Sequence, residues 1–100
     1  MVIQKPAVAG TVESSDALVS VEPGDGKIEL TLTSSVMNQY GRQIRETVLE
    51  TLKRLDVDNV RINVVDKGAL DCTIKARVEC AVFRSSNASE KDLPWGGVIR

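Results

Sequence analysis

The sequence predicts an α+β domain, a two-layer sandwich of order β-β-β-α-β-α with an antiparallel meander and two helices on one face of a four-stranded sheet. Three observations predict it. Residues 27–33 alternate strictly, with Ile28, Leu30 and Leu32 on one face and Lys27, Glu29, Thr31 and Thr33 on the other, the period-two pattern of a half-buried strand. From Val36 to Leu55 the period becomes helical, with Met37, Tyr40, Ile44, Val48, Leu52 and Leu55 recurring at steps of three and four. One hundred residues, 42% hydrophobic and 27% charged, suit one folded unit with one core.

Taken in order, residues 1–6 are a lead-in ended by Pro6. Ala7 to Glu13 reads as a first strand, in which Val8 and Val12 are β-branched and Gly10 marks a bulge or a close backbone approach. Ser14-Ser15-Asp16 is a turn, because Ser and Asp hydrogen-bond their own local backbone. Ala17 to Glu22 alternates as a second strand, and Pro23-Gly24-Asp25-Gly26 is a strong turn signal. Three strands joined by short turns make the meander. Ser34-Ser35 then offers an N-cap to the first helix. Val60, Ile62 and Val64 alternate with Arg61 and Asn63 as a fourth strand, followed by the tight turn Asp66-Lys67-Gly68, whose glycine is expected at positive φ. Residues 69–84 fit both periods. Helix is preferred because the segment is long for a strand, and because Asp71 near its start and Arg84 near its end suit the helix dipole. Residues 85–90 are polar and loop-like. Residues 1–92 therefore read as one domain and 93–100 as an extended C-terminal tail. Its Leu93 and Trp95 either fold back onto the core or dock on a partner.

The chain contains no histidine. That excludes Ser-His-Asp and Cys-His nucleophiles and His-based zinc sites, and it removes the one side chain that titrates near neutrality when unperturbed. No catalytic residue and no metal ligand is assigned, and a binding or carrier module is favoured over a complete enzyme. The net charge of −1, with no basic run interleaving aromatics, leaves little for phosphate neutralisation, so nucleic acid is not an expected partner. No apolar run approaches the ~18 residues of a membrane span, and no signal peptide is visible. A cytoplasmic protein is expected. Cys72 and Cys80 would lie about 12 Å apart on a helix, beyond disulfide reach, and read as buried free thiols.

Four stretches carry a family resemblance. They are Pro6-Ala7-Val8-Ala9-Gly10-Thr11-Val12-Glu13-Ser14-Ser15-Asp16, then Asp66-Lys67-Gly68-Ala69-Leu70-Asp71-Cys72, then Ala76-Arg77-Val78-Glu79, and Leu93-Pro94-Trp95 in the tail. In this order and spacing the chain resembles the acyl carrier protein of citrate lyase, its gamma chain. The resemblance implies that Ser14 is joined through a phosphodiester to 2'-(5''-phosphoribosyl)-3'-dephospho-CoA, whose thiol holds the acetyl or citryl thioester while citrate is cleaved to oxaloacetate and acetate. It implies a non-catalytic subunit whose partners are a transferase (alpha) subunit, a lyase (beta) subunit and a prosthetic-group transferase that loads Ser14. Ser15 stands where relatives often have Gly. Glu13, Ser15 and Asp16 are then candidates for recognition by the loading enzyme, or they only keep the turn solvated. Leu93 and Trp95 are candidates for docking on the large subunits. The related carrier of malonate decarboxylase would have a similar arm and fold, although Asp71 and Cys72 look more like the citrate lyase form. A reading of a different class is an unmodified interaction domain that scaffolds partners through its tail.

Overall fold

The computed structural model describes residues 2–34 and 37–86. Its elements are β1 (Ala7–Gly10), β2 (Ala17–Glu22), β3 (Ile28–Ser34), α1 (Met37–Arg54), β4 (Val60–Asp66) and α2 (Asp71–Ser85). The α+β class, the element order, the four-stranded sheet and the two-helix layer agree with the sequence reading. Residues 69–84, compatible with either period, form a helix. Ser35 and Val36, at the expected start of α1, and the tail with Leu93 and Trp95 lie outside the described residues.

The sheet order is β1-β2-β4-β3, which corrects the meander. Only β1 and β2 form a hairpin. β4 inserts between β2, to which it is antiparallel, and β3, to which it is parallel. The reason lies in burial and charge. Val60, Ile62 and Val64 of β4 are at most 1% exposed, a degree of cover that suits a central strand. On the other face of β4, Arg61 is flanked in register by Glu22 of β2 and Glu29 of β3, and its guanidinium reaches Glu22, Asp25 and Glu29 at 3.1, 3.3 and 3.5 Å. A cation between two carboxylate-bearing strands favours this neighbour order over one that pairs the two acidic strands directly. The segment after β2 must then span two strand spacings, roughly 10 Å. It crosses the start of β4, where Gly26 N–H donates to Asn59 Oδ1 at 2.8 Å and Val60 N–H to the Lys27 carbonyl at 3.1 Å.

Both helices cover the same face. Ile44, Val48 and Leu52 of α1, Leu55 just after it, and Ile74, Val78, Ala81 and Val82 of α2 form one buried cluster with Ala17, Val19, Val21 and the inward residues of β4. The opposite face leaves Val8, Thr31, Arg61 and Asn63 exposed. Ile3 is also buried, and the N–H groups of Gln4 and Lys5 share the Ser85 carbonyl at 2.9 and 3.2 Å, tying the lead-in to the end of α2. Two buried hydroxyls are satisfied within their own helices, as burial requires: Thr51 Oγ1 donates to the Thr47 carbonyl and Ser85 Oγ to the Val82 carbonyl. Both cysteines are free, but Cys72 is exposed and Cys80 half-buried rather than buried, because each lies two residues off the buried row Ile74, Val78 and Val82 of α2.

Candidate functional site

Gly10 ends β1 and begins the loop of residues 11–16. Its φ is +95°, and a Cβ built there would stand 1.8 Å from the Ala17 carbonyl oxygen on the paired strand. Only glycine allows the two strands to approach so closely in this conformation. The strand is therefore shorter than the sequence reading had it, and Thr11 to Glu13 belong to the loop.

The loop is held by its polar groups. Thr11 Oγ1 donates to Asp16 Oδ2 at 2.8 Å and accepts the Glu13 N–H at 3.2 Å, while Asp16 N–H donates to the Glu13 carbonyl at 3.1 Å. Arg77, from the middle of α2, grips Asp16 with both arms of its guanidinium, Nε to Oδ1 at 2.9 Å and Nη2 to Oδ2 at 3.0 Å, a two-point geometry that fixes orientation as well as charge. The Ala17 N–H completes the set at 2.7 Å from Oδ1. The Arg77 guanidinium first, then the Thr11 hydroxyl and the Ala17 N–H, hold the Asp16 carboxyl well below the usual carboxylate range, and Asp16 raises Arg77 in return.

A second anchor is the turn after β4. Ser15 N–H donates to the Lys67 carbonyl at 2.8 Å, and Lys67 N–H donates to the Asp16 carbonyl at 2.9 Å. That turn is pinned from beneath by the buried Asp66, which accepts from Ser34 Oγ at 2.8 Å and from Ala69 N–H at 2.9 Å. Ser15 is forced to φ 65°, the left-handed region where a glycine would be less strained.

The consequence is a division of labour within four residues. Asp16 is engaged inside the fold and Ser15 is held by its backbone. Glu13, Ser14 and Ser15 are all exposed, and none of the three side chains has a hydrogen-bond partner among the described residues. The Ser14 hydroxyl is reachable but not activated. The chain has no histidine, and the Asp16 carboxylate is occupied by Arg77. The arrangement can be modified by an external enzyme and has little means of reacting by itself. Among the described residues no cluster could hold a metal ion, and no helix is long and apolar enough to cross a membrane.

Sequence reasoning placed the loop and its exposed serine but missed the groups that hold it, namely Thr11, Lys67 and Arg77. Arg77 lies 61 residues from Asp16, so no local pattern connects them. The only signal was its place in one of the stretches that carried the resemblance. The candidate docking residues Leu93 and Trp95 are not among the described residues.

A family model described as "ACP: Malonate decarboxylase delta subunit (MdcD)" matches residues 4–85. The citrate lyase acyl carrier protein of Clostridium perfringens is 54% identical over 97 residues, which span 96% of this chain and 94% of the relative. The protein of the same name from Fusobacterium nucleatum is 50% identical over 91 residues, 90% of this chain and 97% of the relative. That from Pectobacterium carotovorum is 51% identical over 95 residues, 95% and 97% of the two chains. Among solved structures, a chain in the crystal structure of a Pseudomonas malonate decarboxylase hetero-tetramer in complex with malonate superposes with a TM-score of 0.71 at 26% identity, covering 82% of this chain and 84% of that one. The exposed serine loop therefore stands on the fold of a named group, and the chain belongs to the acyl carrier protein family that includes the citrate lyase carriers.

Proposed function

We propose that this chain is the acyl carrier subunit of citrate lyase, with 2'-(5''-phosphoribosyl)-3'-dephospho-CoA attached to Ser14. The observation that carries the reading is the state of the loop: both serines expose hydroxyls without a partner among the described residues, and Ser14 is the one of the two that lies outside the left-handed region, on a firmly held support. The residues fit such a group: Ser14 Oγ would form the phosphodiester, and Lys67 brings an exposed cation to the same edge for its phosphates. Once bound, the group supplies the thiol on which the acetyl and citryl thioesters form. The chain's own part is to hold that anchor at the surface while transferase and lyase subunits act in turn, which raises the local concentration of the tethered thioester.

Relatives named as citrate lyase acyl carrier proteins support the cargo at about twice the identity of the malonate decarboxylase chain. On this reading the protein is a cytoplasmic subunit of a complex, residues 1–92 form the carrier domain, and residues 93–100 dock through Leu93 and Trp95. Glu13, exposed beside the anchor, is read by the loading transferase. Asp16 and Ser15 serve it indirectly by shaping the loop.

Intact mass spectrometry of protein made with the loading enzymes tests the assignment. The wild-type chain should gain the mass of the arm, Ser14→Ala should not, and Ser15→Ala should. An unmodified wild-type chain under those conditions would favour the scaffold reading instead. Deleting residues 93–100 should weaken assembly with the large subunits, and unchanged assembly would remove the tail from the docking surface.

A further inference from the structure

Next to the loop lies a cleft of about 560 Å³, to which α1 contributes Gln43 and Ile44, and the start of α2 with its approach contributes Ala69, Leu70, Asp71 and Cys72. Its volume falls within the ~300–1,000 Å³ typical of small-molecule sites. Leu70 at its rim is 71% exposed, a large apolar side chain that packing among the described residues does not account for. Gln43 Nε2 donates to Asp71 Oδ2 at 2.9 Å, so an amide and a carboxylate from different helices stand paired in the wall. The cleft borders the turn that supports the anchor loop: Asp66 and Gly68 in its wall flank Lys67, the residue bonded through its backbone to both Ser15 and Asp16.

Resting on the carrier reading above, we propose that this cleft binds the adenosine portion of the arm attached at Ser14. A purine needs apolar surface for its faces and a donor–acceptor pair for its edge. Ile44, Ala69 and Leu70 provide the first. The amide of Gln43 can donate to a ring nitrogen, as Gln does when it reads adenine, and the carboxylate of Asp71 can accept from the exocyclic amine. Adenine is the one base of the arm and is joined to Ser14 through a single phosphoribosyl unit, so it is tethered close to the loop. With the nucleoside held, only the phosphopantetheine end swings. The shorter flexible tether keeps the thiol at higher effective concentration.

Cys72 reports on occupancy because it lines the cleft and is exposed, while the half-buried Cys80 serves as reference. Loaded and unloaded full-length chains are treated with N-ethylmaleimide, and each cysteine is followed by peptide mapping, with intact mass reporting the load on Ser14. If the docked state holds about nine-tenths of the population, Cys72 reacts about tenfold more slowly in the loaded chain and Cys80 is unchanged. Protection should survive nucleotide pyrophosphatase, which hydrolyses the P–O–P bond, releases phosphopantetheine and leaves the nucleotide on Ser14. Leu70→Ser removes the apolar rim while giving α2, now capped by Leu70 without a side-chain bond, a hydroxyl at that position. This variant should load normally and lose the protection. Equal Cys72 rates in a chain that carries the added mass would overturn the proposal, as would protection that vanishes with the phosphopantetheine or slowing that affects both cysteines alike. A chain that gains no mass at Ser14 would instead overturn the carrier reading itself.

Discussion

Gly10→Ala is the sharpest test of how the anchor loop is built. An added Cβ would stand 1.8 Å from the Ala17 carbonyl oxygen and 3.0 Å from its carbon. Both are backbone atoms of a paired strand, so no side-chain rotation relieves the contact. Two terms follow: an L side chain at φ +95° costs about 1–3 kcal/mol, and forcing the strands apart adds about 1–3 kcal/mol more. Gly68→Ala isolates the first term, because Gly68 has φ +89° with nothing within 4 Å of the added atom. Taking about 2 kcal/mol as the steric difference, and ~4–8 °C per kcal/mol for a domain of this size, Gly10→Ala should melt roughly 8–16 °C below Gly68→Ala. Thermal melts followed by far-UV circular dichroism measure it. If the two variants melt together, the close approach of β1 and β2 is not what shapes the loop, and the account of Ser14 exposure fails with it.

Two further outcomes follow from the same contacts. The Asp16 carboxyl is held below its unfolded value of 3.8, chiefly by Arg77. Its contribution to stability should therefore be complete above that value and decline as pH falls below it. Urea unfolding of wild type and Asp16→Asn should give a stability gap that is constant from neutrality down to about pH 5 and narrows in stronger acid; a gap that widens on acidification would reverse the sign of the argument. Leu52→Ala empties a fully buried position between α1 and the sheet and should cost about 2–5 kcal/mol. It should lower the urea midpoint with little change in slope, and a loss under 1 kcal/mol would mean that the helix layer packs elsewhere.

Much of the fold was legible locally. The alternation of Ile28, Leu30 and Leu32, the helical spacing of Ile44, Val48 and Leu52, and the charges at the ends of residues 71–84 each report on one element's own exposure, and each element formed as read. The order of the strands was less legible, because alternation states which side of a strand is buried and not which strand lies beside it. A clue was present in Arg61 between the acid-bearing strands of Glu22 and Glu29, but its use requires the register.

The anchor loop divides in the same way. By itself the sequence determined that Glu13-Ser14-Ser15-Asp16 is a turn, that no histidine could make its serines catalytic, and which family the chain resembles. Only the tertiary structure decided which polar groups are spent inside the fold. Arg77 meets Asp16 across 61 residues, the Lys67 backbone closes on Ser15 and Asp16, and Cys72 turns out to face an open cleft. These are pairings between elements, set by how two helices seat on a sheet, and a one-dimensional pattern carries the period of each element but not the partner it meets.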